Sequence, residues 1–518
     1  MHNFMRDMRV CFRQLRKAPG FALTTILTLG LGIGATTAIF SLVNTVLLKP
    51  LPFQQQEKLA WVTSWDSRFG RAEAMSYPDF LDYRSQQKSF SAFASYHSGT
   101  HTLTGRGEAR HLEGQVVSSD FFHVLGVKPV LGRDLSPEDE NASNRSIMLS
   151  HSLWESAFKG DPDIVGKPIT LDGLAYSVVG VMPAGFSFPV QQPAPQFWSS
   201  VAEDAYDPDG KGEPMTVERG AHFLDGIGRL KNGVSFAQAQ ADVTSIAAAL
   251  SVRYPKTNKR FNGAHVEPEL DHVVGDSRFA LRMLFAAVSL VLLIACANVA
   301  GLTLARASRR RSEMAVRTAI GASRKQIVEQ VLTESVLLSI AGGCFGLLLA
   351  MTILRGFVHL LPQNLPRLDQ ISIDLRVLLF ALLVSIGTGI LFGVFPAWRM
   401  SRVNPSLAMR EGSHSVTSDR KQHGLHSALV IAETALGLVL LVGSGLLIRS
   451  FVHMLHINPG FEPTNVLTAR IDLPYTDLNK FTHFYDDLQS RMAAQPGVEG
   501  VGAAFALPFW SDGIRITF

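Results

Sequence analysis

The chain alternates between long stretches almost free of charge and stretches in which apolar and polar residues are finely mixed. Five apolar runs stand out, at 21–48, 283–305, 331–361, 375–397 and 427–448. Each matches or exceeds the ~20 residues a helix needs to cross a hydrocarbon layer. A buried helix of a soluble domain rarely lacks charge for that long, so the pattern predicts five transmembrane helices. The first run is too long for a signal-peptide core, and NTVLLKPLPF offers no small-x-small cleavage site, so it reads as an uncleaved anchor. Before it, Phe4, Met8, Cys11, Phe12 and Leu15 share one helical face opposite arginines, which predicts an interfacial helix over 1–20, broken at Ala18-Pro19-Gly20. An ordinary cytoplasmic helix packed on protein would show the same pattern.

Segment 49–278 has the other pattern, short strand-like and helix-like pieces between polar connections. Pro78 to Ser89 reads as a helix and 89–97 (SFSAFASYH) as the strand after it. In 168–183 (PITLDGLAYSVVGVMP), Asp172-Gly173 between apolar runs predicts a hairpin. HFLDGIGRL reads as a strand. In the stretch after it, Ser235 and Gln238 fit a capping box, Val243, Ile246, Ala247 and Leu250 form an apolar stripe, and Tyr254-Pro255 ends the helix. Residues 190–220, rich in Pro, Gly, Asp and Gln, read as a loop. The whole is a mixed α/β domain with its own core.

Composition changes this picture only through its distribution. The 518 residues carry a net charge of +4 and are 47% hydrophobic, which fits a soluble enzyme equally well. The basic residues, however, gather in alternate gaps between the runs. Arg6, Arg9, Arg13, Arg16 and Lys17 precede the first run. Arg306, Arg309, Arg310, Arg311, Arg317, Arg324 and Lys325 lie between the second and third, and Arg399, Arg402, Arg410, Arg420 and Lys421 between the fourth and fifth. The remaining short gap carries Arg367 against Asp369 and Asp374. The positive-inside rule then places the N-terminus in the cytoplasm and 49–278 outside, in the periplasm of a diderm bacterium. The three cysteines, Cys11, Cys296 and Cys344, leave that segment without a disulfide framework.

Candidate chemistry is sparse. His97, His101, His111, His123 and His151 form no recognised metal-ligand spacing and read as scattered surface histidines. GDPDIVGKP (160–168) fails as a phosphate loop, because its glycines are misspaced and Pro168 stands where Ser or Thr should hold magnesium. No catalytic, cofactor or metal site is expected, and the chain is not expected to be an enzyme. Any ATP would bind a partner chain. Inside the runs, Gly30 and Gly34, Gly342 and Gly346, and Gly389 and Gly393 are spaced for close helix packing. Asn44, Asn298 and Glu433 are polar residues in apolar surroundings, expected to face protein.

Residues 309–350 (RRRSEMAVRTAIGASRKQIVEQVLTESVLLSIAGGCFGLLLA) resemble the core signature of the FtsX/MacB superfamily of ABC permeases. Residues 393–412 (GVFPAWRMSRVNPSLAMREG) resemble that family's closing segment, and 146–189 resemble the MacB-type periplasmic domain. The resemblance covers nearly all of 20–412 in the family's order. It implies a four-span unit with a large periplasmic domain after the first span; the fifth run departs from that pattern, so the expected fold is an α+β membrane protein with about five transmembrane α-helices, a large mixed α/β periplasmic domain of MacB type, and the start of a second one. It also implies that the loop after the second span docks on an ATPase, through Glu313, Arg317, Gly321, Ala322 and Arg324 in the order E-x-x-x-R-x-x-x-G-A-S-R. Gly321 would close a helix at its C′ position. Positive-inside sorting alone would need the charges but not that order.

The expected domains are therefore 1–20, an interfacial helix; 21–48, 279–305, 329–361, 375–397 and 427–449, the five spans; and 49–278, the periplasmic domain. The cytoplasmic parts are a coupling loop, 306–328, and a linker, 398–426. Segment 450–518 reads as part of a second periplasmic domain, its helix-then-strand logic similar to 78–97. That repeat is similar to the duplicated permeases of Acidobacteria and implies a piece of a longer protein. The expected partners are an ABC ATPase subunit and the lipid bilayer, with a second permease copy or a periplasmic adaptor as further candidates and no nucleic acid. The expected location is the bacterial inner membrane. Export or extrusion of a substrate leads as the function, and a non-transporting FtsX-like signal to a cell-wall enzyme is the alternative.

Overall fold

The computed structural model describes residues 13, 16, 18–105, 107–191, 193–205, 214–275, 277–309, 323–357, 371–400, 419–457, 465–469, 471, 478–504 and 515–516. Most of the interfacial helix expected over 1–20 lies outside them. The chain divides into two units: Met1–Lys49 with Asp276–Val466, and Pro50–Gly275 with Leu467–Phe518.

In chain order, α1 (Pro19–Val43) runs into a π-helical turn, Asn44–Leu48. Then come β1 (Leu59–Asp66), β2 (Arg71–Glu73), α2 (Tyr77–Gln86), β3 (Phe90–Thr104), β4 (Arg110–Val117), α3 (Phe121–Leu125), β5 (Leu131–Gly132) and β6 (Ser146–Leu149). After α4 (His151–Phe158) follow β7 (Pro168–Leu171), β8 (Leu174–Val181), β9 (Phe197–Ser200), β10 (Ala221–His222) and β11 (Asp225–Leu230). The mixed stretch ends with α5 (Phe236–Arg253), α6 (Pro255–Asn258), β12 (Gly263–Pro268) and α7 (Glu269–Val274). The long helices α8 (Ser277–Arg309), α9 (Arg324–Phe357), α10 (Leu375–Met400) and α11 (Asp419–Leu455) follow, then α12 (Leu478–Ala493) and β13 (Arg515–Ile516).

Among the described residues of the helical unit, five helices are long and apolar enough to cross a membrane: Pro19–Leu48, Ser277–Arg306, Arg324–Gly356, Leu375–Val394 and Val430–Leu455. Their starts follow local chemistry. Proline at the first helical position of α1 loses no needed hydrogen bond. At α9, the Ser323 hydroxyl accepts from the Gln326 N–H while the Gln326 side chain accepts from the Ser323 N–H, a capping box. At α10, the Asp374 carboxylate accepts from the Val377 N–H at 3.0 Å. The helix α9 packs on α1 and on α10, α8 packs on α1, and α11 touches α8.

The mixed unit is built on one sheet ordered β12-β1-β11-β3-β4-β9-β6-β8-β5, with β2 on β1 and β7 bridging β3 and β8. The expected hairpin is β7–β8. Asp172 and Gly173 both take positive φ, 52° and 78°, as a two-residue loop of matching twist requires. The capping box at Ser235 and the buried stripe Val243, Ile246, Ala247 and Leu250 form as read, and α5 packs on β12.

Three readings change. The helix expected from Pro78 to Ser89 starts at Tyr77, capped by Ser76, and stops at Gln86, while its strand runs on to Thr104. The loop expected over 190–220 contains β9, which is fully buried and lies between β4 and β6. Its four residues, just after Pro193 and Pro195, are too few to show an alternating strand pattern, and β9 is held in place by its distant neighbours. In the C-terminal part, α12 forms, but 498–504 makes no strand, and β13 pairs with β10.

Candidate functional site

Close helix-to-helix contacts of the helical unit run along α9. Two of its glycines face two of α1. A methyl group at Gly34 would stand 2.7 Å from the Gly346 carbonyl oxygen, and one at Gly346 would stand 2.8 Å from the Gly30 oxygen. At Gly30 it would meet the Phe345 ring, and at Gly342 the Leu29 side chain. Any side chain here would force the backbones apart, so the Gly-x-x-x-Gly pairs of both helices form one crossing. On α10, Gly389 and Gly393 face Val336 and Ser339, and Leu332 and Ser335, of α9. Ser339 Oγ lies 3.0 Å from Thr388 Oγ1 and donates to the Ser385 carbonyl. All six glycines singled out in the sequence therefore sit at contacts of α9 with α1 or α10.

Polar contacts tie both ends of this bundle. Near the turn that ends α1, buried Asn44 donates to Asp374 at 3.1 Å, and Ser41 donates to the Ser372 carbonyl at 3.2 Å. Phe40 stacks on Phe380 with centroids 3.8 Å apart, and Phe285 of α8 lies against both. At the other end, Arg306 forms a 2.9 Å ion pair with Glu334 and lies over the Phe21 ring, 4.3 Å from its centroid. Of the other polar residues read from sequence, Asn298 is exposed on α8 and Glu433 half-buried on α11.

Of the residues expected to dock on an ATPase, Arg324 is the exposed first residue of α9. Glu313, Arg317, Gly321 and Ala322 lie outside the described residues. Sequence reasoning missed Glu334, Asp374 and the serines facing α10. The signal available for the first two was a carboxylate at the border of an apolar run.

The mixed unit holds its own charged networks. Two of the histidines are not surface residues. His97 bonds Asp204 at 2.9 Å, and His101, 9% exposed, bonds Asp172 at 2.6 Å and Glu203 at 3.2 Å. Burial opposes the charge on His101, but the two carboxylates outweigh it and push its pKa up to about 9. The sequence misses this because the carboxylates come from 172 and from the turn after β9. Asp139, buried by its own turn, accepts from Arg133, Ser136 and Ser146; these bonds overcome desolvation and hold its pKa well below the usual range. Glu269 is the opposite case. It is 1% exposed, and burial, with Asp225 and Glu267 nearby, raises its pKa to about 8. Lys167, in the failed phosphate loop, pairs with Asp161 at 2.7 Å. Among the described residues, no group of three or more His, Cys, Asp or Glu side chains could hold a metal ion.

Comparison with known proteins finds two family domains along the chain. Residues 22–246 match the MacB-like periplasmic core domain, and 285–405 the FtsX-like permease C-terminal domain. Relatives named macrolide export ATP-binding/permease protein MacB, from Shigella flexneri and from Escherichia coli, are each 27% identical over 290 residues. The match covers 56% of this chain and 42% of each relative, so the chain spans less than half of their length. Among solved structures, the periplasmic region of MacB from Actinobacillus actinomycetemcomitans is 14% identical at a TM-score of 0.31, covering 42% of this chain and 93% of that one. The extracellular domain of the noncanonic ABC-type transporter YknZ from Gram-positive bacteria is 11% identical at a TM-score of 0.30, covering 40% and 99%. With five apolar helices, a mixed α/β domain and both family domains in sequence, the chain belongs to the FtsX/MacB-type ABC transporter permeases.

Proposed function

We propose that this permease couples ATP hydrolysis on a separate ABC ATPase to motion of its periplasmic domain, and so exports or extrudes a substrate. The ATPase docks on the loop between α8 and α9, with Glu313, Arg317, Gly321, Ala322 and Arg324 at the contact. The N-terminus and that loop face the cytoplasm, the protein sits in the bacterial inner membrane, and ATP stays on the partner. A second permease copy or a periplasmic adaptor completes the assembly.

The observation that carries this reading is the continuity of α9. It starts at the capped, exposed turn Ser323–Gln326 and then locks onto α1 and α10 through faces too close for side chains. The helix α1 runs directly into the mixed domain through its π-helical turn. A push on the start of α9 would be carried to α1 with little lost in compliant packing. The spans carry no stripe of charges suited to an ion channel, which favours mechanical transmission over a continuous pore. Site-specific crosslinking from positions 317 and 324 in native membranes tests it. Capture of an ABC ATPase that weakens with Glu313→Ala and Gly321→Leu supports the reading. An accessible loop that captures none overturns it.

A further inference from the structure

We infer that Arg306 is a positioning residue for coupling: its ion pair with Glu334 and its contact with Phe21 clamp α8, α9 and α1 together at the base of the arm that leads to the ATPase. The inference rests on the coupling reading above and assigns a role to residues outside the docking motif.

The pair stands between two different kinds of helix. From 336 to 354, α9 reads VLLSIAGGCFGLLLAMTIL, with no charged residue, whereas from 324 to 333 it reads RKQIVEQVLT. Glu334 marks the change. At 1.5 Å per residue, the ten steps from Arg324 to Glu334 make an arm roughly 15 Å long. The exposed positions of this arm are Arg324, Lys325, Gln326 and Glu329, while Ile327 is buried. Arg306 is likewise the last residue of its apolar helix segment, three before the end of α8.

Both side chains are largely removed from solvent, with 15% of Arg306 and 12% of Glu334 exposed. An arginine needed only for positive-inside sorting would work from an exposed position and would need no partner. Here the guanidinium is held on one side by a carboxylate of α9 and on the other by the Phe21 ring at the start of α1. Guanidinium chemistry suits this double contact, because its plane can stack while its edge pairs. One side chain therefore links three helices at the level where the arm meets the membrane. With that link in place, a displacement of the arm turns α9 and α1 as one body. Without it, α9 is held to α1 by the glycine crossing, whose Gly342 and Gly346 lie two to three turns further along, and beyond that by Ala350 and Leu354 packed with Ala38.

The test uses the full chain in lipid nanodiscs, with Cys11, Cys296 and Cys344 replaced by alanine. Spin labels go at positions 23 and 325, both exposed and both within the helical unit. Arg306→Glu and Glu334→Arg should each widen the label-to-label distance distribution at least twofold, and Glu334→Gln should widen it less. The double swap, Arg306→Glu with Glu334→Arg, should return it to the parent width. In native membranes, capture of the ATPase by a photo-crosslinker at 325 should fall about tenfold in each single reversal and recover in the swap, with the melting transition of the mixed domain unmoved.

Single reversals as narrow as the parent, or a swap as wide as the singles, overturn the clamp. Capture that is unchanged in the single reversals overturns its role in coupling. If the parent chain captures no ATPase, the coupling reading fails, while the spin-label widths still decide whether the clamp exists.

Discussion

Gly34 of α1 and Gly346 of α9 meet backbone to backbone: a methyl group on Gly346 would lie 2.9 Å from the Gly34 nitrogen, and one on Gly34 would lie 3.2 Å from the Gly346 Cα. Such an approach lets two helices exchange dispersion contacts along their backbones, which is the main attraction available to helices in lipid. It also leaves nowhere for a side chain to go, so the contact tests directly whether α1 and α9 act as a unit.

Gly346→Leu should lower the melting temperature of the helical unit in detergent and depress membrane yield. Forcing bulk into a packed contact typically costs about 1–3 kcal/mol. Gly356→Ala, in the same helix but with no atom within 4 Å of the added methyl, should be neutral or slightly stabilising, since alanine is the better helix former. Equal effects at the two positions would mean that the crossing is not as close as described.

Asp374 does two things at once, capping α10 through Val377 and accepting from Asn44. Asp374→Ala should therefore destabilise more than Asn44→Ala. Loss of an N-cap alone costs about 1 kcal/mol. Asp374→Asn, which keeps an acceptor oxygen for the cap, should fall between parent and alanine. Chemical unfolding of the purified protein in mild detergent gives the order.

The mixed domain should lose stability as pH rises from about 4.5 to 8, partly because of Glu269. Its pKa is about 8 when folded against an ordinary 4.5. The unfolded chain therefore releases this proton first, and each step of pH from about 4.5 to 8 favours unfolding. Glu269→Gln removes that term, so its melting temperature should change less over the window and exceed the parent's at pH 8. A parent-like pH profile in the variant would show that the carboxyl is already ionised at neutral pH.

His101 should contribute in a later window. Its folded pKa of about 9 lies above the ordinary 6.5, so the pairs with Asp172 and Glu203 stabilise fully below 6.5 and fade as pH rises through 9. His101→Gln should lower the melting temperature at pH 6 and converge on the parent near pH 10. Two-dimensional NMR of the imidazole would place the titration directly.

Much of this protein is legible one segment at a time. Five apolar runs, the Asp172-Gly173 turn and the Ser235 capping box each depend on residues a few positions apart, and local chemistry is sufficient to specify them. The glycine pairs announce themselves by spacing, yet nothing in the chain says which helix each pair will meet. That Gly30 and Gly34 meet Gly342 and Gly346, about 310 residues later, was decided by the packing of the bundle. The same holds for β9, whose four residues become a strand only between β4 and β6, and for His101, whose partners lie 71 and 102 residues away. Arg306 could be read from sequence as one more positive charge beside an apolar run. Only the tertiary structure brings Glu334 and Phe21 to it, because an ion pair and a ring contact need atoms within a few ångströms, and the folded chain alone sets those distances.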